Sequence, residues 1–290
     1  MKNEDLTIDP ATTRPETATC PVCPHHCKLS TGATGLCGAR RNVNGSVVCI
    51  NYGKIPALAL DPIEKKPLAF FEPGSFILSV GSFGCNLACP FCQNYDISTG
   101  SEPDFGDLNT LSPERLCSLA ESTRSRGNIG VAFTYNEPLV GYEFVRDTAK
   151  LVHEAGMKNV LVTNGTAELA ILEEILPYTD AMNIDLKGFT PEIYKRLRGD
   201  FETVKAFISR AAKSSHIELT SLIVPGLNDS TEDMAREAEW IAALSPSIPL
   251  HITRYFPRYK MQEKATDIEL LYKLKAVAEK RLEQVLVGNV

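Results

Sequence analysis

Three cysteines in the stretch GCNLACPFCQN, namely Cys85, Cys89 and Cys92, stand at C-x3-C-x2-C spacing. Three thiolates on one short loop can bind three irons of a [4Fe–4S] cluster and leave the fourth iron open, unlike the four-cysteine sets of electron carriers. An open iron can chelate a substrate, and a low-potential cluster can pass it an electron. The same three thiolates would need a fourth ligand to make a zinc site. No histidine lies near the loop, and the next cysteine, Cys117, falls in a helical pattern.

A second group precedes it. CPVCPHHCKLSTGATGLCGAR places Cys20, Cys23, Cys27 and Cys37 at C-x2-C-x3-C-x9-C spacing, with His25 and His26 able to replace one thiol. Four thiolates on a Gly- and Pro-rich segment with little core of its own are what a metal-stapled subdomain looks like. The spacing accepts either zinc or an auxiliary Fe–S cluster. Cys49 in VVCI and Cys117 in SPERLCSLAES read as plain buried cysteines, and Glu64-Lys65-Lys66 taken alone reads as a solvated charge run.

Composition narrows the setting. The chain has 290 residues and nine cysteines, and 30 Lys+Arg against 36 Asp+Glu give a net charge of −6. A 43% hydrophobic and 23% charged composition excludes wholesale disorder. The acidic balance argues against nucleic acid as a partner. An odd cysteine count excludes complete disulfide pairing. The polar start of the sequence has no apolar run, which argues against a signal peptide or anchor, and no stretch approaches the length of a membrane span. A reducing cytoplasm is the expected compartment, where clustered cysteines are metal ligands or catalytic groups.

The elements that must position these residues form an alternating pattern. Residues 1–19 read as a flexible lead-in, 20–75 as a small Cys-rich metal-binding subdomain, and 76–290 as the main body. Strand candidates at 76–82, 129–134, 158–163, 180–185, 216–224, 249–254 and 284–288 alternate with helical patterns at 113–126, 139–155, 166–176, 190–213, 231–243 and 267–283. This predicts βαβ units and an α/β fold, a partial (β/α)6 TIM-like barrel with active residues at the C-terminal strand ends. A doubly wound open sheet is the alternative. At or just past the strand ends lie Glu137 in TYNEP, Asn164 in TNG, and Asp185 and Lys187 in NIDLKG, and on the strand at 249–254 His251 and Arg254 in HITRYFP are candidates to contact ribose or carboxylate. Plainer readings exist: Asn164-Gly165 as a turn, Asp185 as a helix cap, His251 as a core histidine.

The cysteine loop resembles the signature of the radical S-adenosylmethionine (radical SAM) superfamily. The resemblance implies that the open iron chelates the methionine part of the cofactor, whose reductive cleavage yields a 5′-deoxyadenosyl radical that abstracts hydrogen. It implies that Phe91 packs against the adenine. Glu137 is similar to the end of a Gly-Gly-Glu element that holds the methionine amino group, with Tyr135 and Asn136 in place of the two glycines. The Asp185-x-Lys187 pair looks like one in glycyl-radical-enzyme activases, and Pro225-Gly226 resembles a cofactor-contacting turn. The order of CPVCPHHC, YGK, DPIEKKPL, the cysteine loop, TYNEP, NIDLKGF, LIVPGLND and TRYFP resembles the radical SAM member of the AmmeMemoRadiSam system, in the pyruvate formate-lyase-activating-enzyme-like branch. That implies Memo-like and AMMECR1-like partners and a flavodoxin- or ferredoxin-type electron donor. Two other readings stay open. One is an activase acting on a glycine of a partner protein, although no extra cysteines lie between Cys92 and Cys117. The other is a non-catalytic Fe–S or zinc module.

Overall fold

The computed structural model describes residues 16–105, 108 and 110–290. Residues 1–15 of the expected lead-in lie outside these, but its last part is structured: β1 (Thr17–Thr19) pairs antiparallel with β2 (Lys28–Ser30). A second small ladder joins β3 (Arg40–Val43) to β4 (Ser46–Cys49). The main sheet contains β5 (Ala57–Pro62), β6 (Phe76–Gly81), β7 (Asn128–Phe133), β8 (Lys158–Thr163), β9 (Ala181–Asp185), β10 (His216–Ile223), β11 (Leu250–Arg254) and β12 (Val285–Gly288), in that spatial order. β6 to β12 are parallel, and β5 runs antiparallel along β6. A doubly wound sheet reverses its strand order at a switch point. Here every crossover steps the same way, so the sheet curls in one direction around a lumen. Its edges, β5 and β12, are not paired with each other among the described residues, which leaves the barrel partial.

A helix follows each strand from β6 to β11: Pro113–Ser122, Tyr142–Glu154, Leu169–Ile175, the pair Pro191–Arg196 and Phe201–Ala211, Thr231–Leu244, and Ile268–Ala278. Their boundaries are written locally. Ser112 Oγ accepts from the Arg115 amide ahead of Pro113, which needs no amide partner in the first turn. The pattern read as one helix over 190–213 is broken at Arg198, whose φ of 59° ends the first helix, and Asp200 caps the second through the Thr203 amide at 2.8 Å.

One face of the sheet packs against these helices. Leu78, Val80, Val131 and Phe133 join Leu116, Phe144 and Ala149 in the main core. The lumen side is different. Its lower end is filled by Ile63 and Leu68, which pack on Ile77, Ala132, Val160 and Ala181. The segment 62–71 thus crosses the lumen as a floor. Glu218 on β10 holds it by accepting from the Ala69 amide at 3.0 Å and the Phe70 amide at 2.8 Å, and Asn183 on β9 donates to the Pro67 carbonyl at 2.9 Å. β5 pairs into the main sheet, and the floor segment packs on its lumen side. Nor is Glu64-Lys65-Lys66 simply a solvated run, since Lys66 is 2% exposed.

One buried carboxyl gives a stability test. Glu237, on the helix after β10, is 3% exposed and hydrogen-bonded to Ser221 Oγ, which also lies 3.2 Å from the Leu186 carbonyl. A hydroxyl has one proton, so a protonated Glu237 that donates to Ser221 satisfies all three groups. Burial pushes this carboxyl up to about 8. The unfolded chain ionises at ordinary carboxylate pH. The contribution is therefore complete below about pH 4.5 and is lost as pH rises towards 8. Glu237→Gln is expected to be more stable than the natural chain at pH 8, by on the order of a few kcal/mol, and so to unfold at a higher temperature. The difference should vanish near pH 5 in thermal melts.

Candidate functional site

The C-terminal ends of β6 to β9 converge on a lumen cavity of about 660 Å³. Cys85, Cys89, Cys92 and Phe91 line it from the loop after β6, Glu137 from the end of β7, Asn164 from β8, and Asp185 and Lys187 from β9. Residues spread over a hundred positions of sequence are thus gathered in one space, at the barrel end where chemistry collects.

The cysteine loop is held by its neighbours rather than by a regular element. Gly84 has φ 91°, and a Cβ there would stand 2.5 Å from the Cys37 carbonyl, so only glycine allows the N-terminal subdomain this close. The Cys85 amide donates to that same carbonyl at 3.2 Å. Asn86 is the junction. It is 4% exposed; its Nδ2 donates to the Thr166 carbonyl at 2.5 Å, and its Oδ1 accepts from Asn164 Nδ2 at 3.0 Å. His25 Nε2 donates to its carbonyl at 2.8 Å. Asn164 Nδ2 also reaches Cys85 Sγ at 3.7 Å. Further along, the Ala88 amide donates to the Leu197 carbonyl, and Cys92 Sγ lies 3.1 Å from Ser98 Oγ.

Charge is arranged around the thiols. Burial pushes the Cys85 thiol well up, and Glu137 and Cys89 add to it. Burial also pushes Cys89 up to about 11, against the pull of Lys187, which favours its thiolate. Burial acts to lower the Lys187 ammonium, but Asp185 and Cys89 outweigh it and hold it well above its ordinary value. Lys187 Nζ donates to Asp185 Oδ2 at 2.6 Å. Glu137 is 2% exposed, and burial raises its carboxyl to about 7 against three hydrogen bonds. Oε1 accepts from the Leu139 amide at 3.0 Å and Thr163 Oγ1 at 2.7 Å, while among the described residues Oε2 accepts only from the Asn164 amide at 2.8 Å. A carboxylate oxygen has two lone pairs, so Oε2 keeps acceptor capacity.

Two of the expected strand-end residues are elsewhere. His251 Nε2 donates to Glu218 Oε2 at 2.6 Å, and His216 Nε2 to Glu218 Oε1 at 3.0 Å, beneath the cavity. Burial opposes the Glu218 charge, yet the two histidines and the Ala69 and Phe70 amides lower its pKa to about 2. His251 is thus a satisfied core histidine bracing the floor. Arg254 Nε donates to the Thr266 carbonyl at 2.8 Å, and its guanidinium lies 4.9 Å from the Phe256 ring centroid. Neither residue lines the cavity. Conversely, the cavity includes Tyr135 and Lys66, which sequence reasoning did not select. Tyr135 has φ 74° in the left-handed region, at a position where a glycine would be unstrained. A Cβ on Gly81 would meet its ring at 2.8 Å.

All nine cysteines are free. In the N-terminal group, burial pushes Cys23 up to about 11, with Cys37 and Cys20 adding to the effect, and Cys20 and Cys27 act likewise on Cys37. The four thiols therefore form one neighbourhood. His25 and His26 are engaged outside it, with Asn86 and with Glu168 at 3.2 Å. Among the described residues no three Cys, His, Asp or Glu side chains are closed around a single-ion position.

A family model described as "Radical SAM superfamily" matches residues 79–238, more than half of the chain. The chain belongs to the radical SAM superfamily. It is 39% identical over 277 residues to an uncharacterised protein of Methanocaldococcus jannaschii, covering 93% of this chain and 81% of that one. It is 30% identical over 216 residues to the pyruvate formate-lyase-activating enzyme of Clostridium pasteurianum, covering 70% and 87%. The fold is similar to Streptococcus suis SuiB bound to S-adenosylmethionine, with TM-score 0.56 and 13% identity over 71% of this chain and 48% of SuiB. A radical SAM methyltransferase from Sphaerobacter thermophilus has TM-score 0.56 and 15% identity over 75% and 67%. Membership implies a [4Fe–4S] cluster and S-adenosylmethionine, and it supports an enzyme. The donor set of this radical SAM protein fits them: three thiols on one loop line a cavity with Lys187 beside Cys89 and an acceptor, Glu137, on the next strand. No helix among the described residues is long and apolar enough to cross a membrane.

Asn86 carries a testable consequence. Asn86→Ala removes the ties to Thr166 and Asn164 and leaves a buried carbonyl unsatisfied, which costs about 1–3 kcal/mol. The variant is expected to unfold at lower temperature and to retain less iron per chain after anaerobic reconstitution, measured by colorimetric iron analysis.

Proposed function

We propose that this radical SAM protein cleaves S-adenosylmethionine reductively at a [4Fe–4S] cluster held by Cys85, Cys89 and Cys92, and turns the radical on a substrate in the lumen. The observation that carries this is the joint presence of the three thiols, Glu137, Asp185 and Lys187 around one cavity. Cys85, Cys89 and Cys92 would hold the cluster, which would supply the electron for reductive cleavage of the cofactor and thereby a radical able to abstract hydrogen. The chain's own residues bind and orient. Glu137 Oε2 would accept from the methionine ammonium, Lys187, held by Asp185, would offset the methionine carboxylate, and Phe91 would offer a flat apolar wall to the adenine. Asn164 acts through Cys85 and Asn86, holding the loop rather than the cofactor.

The N-terminal thiols Cys20, Cys23, Cys27 and Cys37 hold a second metal, zinc or an auxiliary cluster, which staples a subdomain with almost no core of its own. The motif order supports a place in the AmmeMemoRadiSam system, with Memo-like and AMMECR1-like partners, a flavodoxin- or ferredoxin-type donor and a cytoplasmic setting. The similarity to a pyruvate formate-lyase-activating enzyme favours a second reading, in which the substrate is a glycine of a partner protein.

Anaerobically reconstituted and reduced protein is expected to convert S-adenosylmethionine to 5′-deoxyadenosine, and Cys89→Ala to lose cluster and product together. A full cluster without product contradicts the proposal. Iron and zinc counted in the natural chain and in Cys23→Ser test the second site: the variant should lose metal that the natural chain holds, and an unchanged count returns these cysteines to a packing role.

A further inference from the structure

Lys66 rises from the floor segment into the lumen. It is 2% exposed, and its Nζ donates to Asp61 Oδ2 at 2.9 Å and lies 4.6 Å from the centroid of the Tyr135 ring. Tyr135 Oη donates to the same Asp61 Oδ2 at 2.7 Å, and Lys65 Nζ donates to Oδ1 at 3.2 Å. An ammonium has three N–H donors, and Asp61 takes one. A buried ion pair is costly compared with apolar residues of the same volume. This one is nevertheless built beside a cavity large enough for a substrate, with a tyrosine held in a left-handed backbone conformation and cleared by Gly81. Asp61 already balances the charge of Lys66, which makes the lysine a poor anchor for an anion. Lysine, carboxylate and phenol around one point are instead the parts of carbonyl chemistry: an amine nucleophile and two groups that pass protons.

We infer that Lys66 is an imine-forming lysine, which takes a small aldehyde or ketone covalently and holds it in the cavity lined by Cys85, Cys89 and Cys92. The Lys66 ammonium gives one proton to Asp61, and the freed nitrogen pair attacks the carbonyl carbon while the C=O π pair moves to oxygen. That oxygen takes a proton from Tyr135 Oη, which is restored through Asp61 by a proton from the nitrogen. The C–O bond of the carbinolamine then breaks. Its oxygen takes the remaining proton held by Asp61 and leaves as water, as the nitrogen pair closes the C=N bond. One ammonium and one carbonyl give one protonated imine and one water, with charge conserved and no oxidant or reductant. Burial lowers the Lys66 pKa against the pull of Asp61, while Lys66, Tyr135 and Lys65 outweigh burial and hold the Asp61 carboxyl well below its ordinary range, so the resting pair is ionic and its proton moves only as the carbonyl arrives. Tethering would fix the carbon to be attacked within the lumen. That purpose rests on the radical reading above, whereas imine formation itself does not.

The test uses the full reconstituted chain with acetaldehyde as the probe carbonyl and sodium borohydride as the trap, followed by peptide mass mapping. The expected result is a reduced adduct on Lys66 at an aldehyde concentration that leaves Lys65, whose side chain is 66% exposed, unmodified. Tyr135→Phe keeps the ring and should form the adduct more slowly, and Lys66→Arg should lose it, with iron content checking that each variant folds. Lys66 unmodified, or modified no faster than Lys65, overturns the inference in the natural chain alone. An unchanged rate in Tyr135→Phe overturns the role of the phenol. A trapped adduct in protein that makes no 5′-deoxyadenosine would sink the radical reading and leave the imine. No adduct in protein that makes 5′-deoxyadenosine would do the reverse.

Discussion

A loop with three cysteines and no fourth must be held in place by something other than its thiols. In this chain that constraint falls on Asn86. Its amide side chain is spent on Thr166 and Asn164, and its carbonyl is taken by His25. Asn164 in turn contacts Cys85 Sγ, and its amide donates to Glu137. The end of β7, the end of β8, the cysteine loop and the N-terminal subdomain are therefore one hydrogen-bonded unit. Buried networks of this kind fix geometry when their members are satisfied; the Asn86 side chain and carbonyl are all paired, while the Thr166 hydroxyl beside them is buried without a partner among the described residues.

The same economy appears at the floor. Glu218 has no helix or turn to stabilise; it spends both oxygens on the Ala69 and Phe70 amides and on two histidines. The floor it holds carries Lys66 upward, so the lumen has thiols at one end and an amine at the other. The sheet supplies rigid walls between them, because each crossover steps in one direction and the lumen side carries small residues such as Ala132 and Gly81 where the floor and Tyr135 need room.

Much of this was legible in the sequence, for identifiable reasons. The strands are short apolar runs separated by helices of ordinary length, so the barrel and the strand-end positions of Glu137, Asn164, Asp185 and Lys187 followed from periodicity. The cysteine loop carries its chemistry in its spacing. His251 misled because strand-end placement says nothing of depth: it pairs beside Thr220, and its partner Glu218 lies one turn of the pleat lower on β10. Lys66 was invisible for another reason. It precedes the first parallel strand, and nothing local says that a Glu-Lys-Lys run will pass under a barrel. The only hint was the apolar company of Ile63, Pro67 and Leu68. Asn86 was hidden between two cysteines that drew the attention.

A cluster on Cys85, Cys89 and Cys92 with one iron free of cysteine would bind S-adenosylmethionine at that iron. Electron paramagnetic resonance of the reduced, reconstituted protein with and without S-adenosylmethionine tests this most directly. The cluster signal is expected to change its g-values and line shape when the cofactor is added. A reduced [4Fe–4S] signal that is identical with and without saturating cofactor would contradict it.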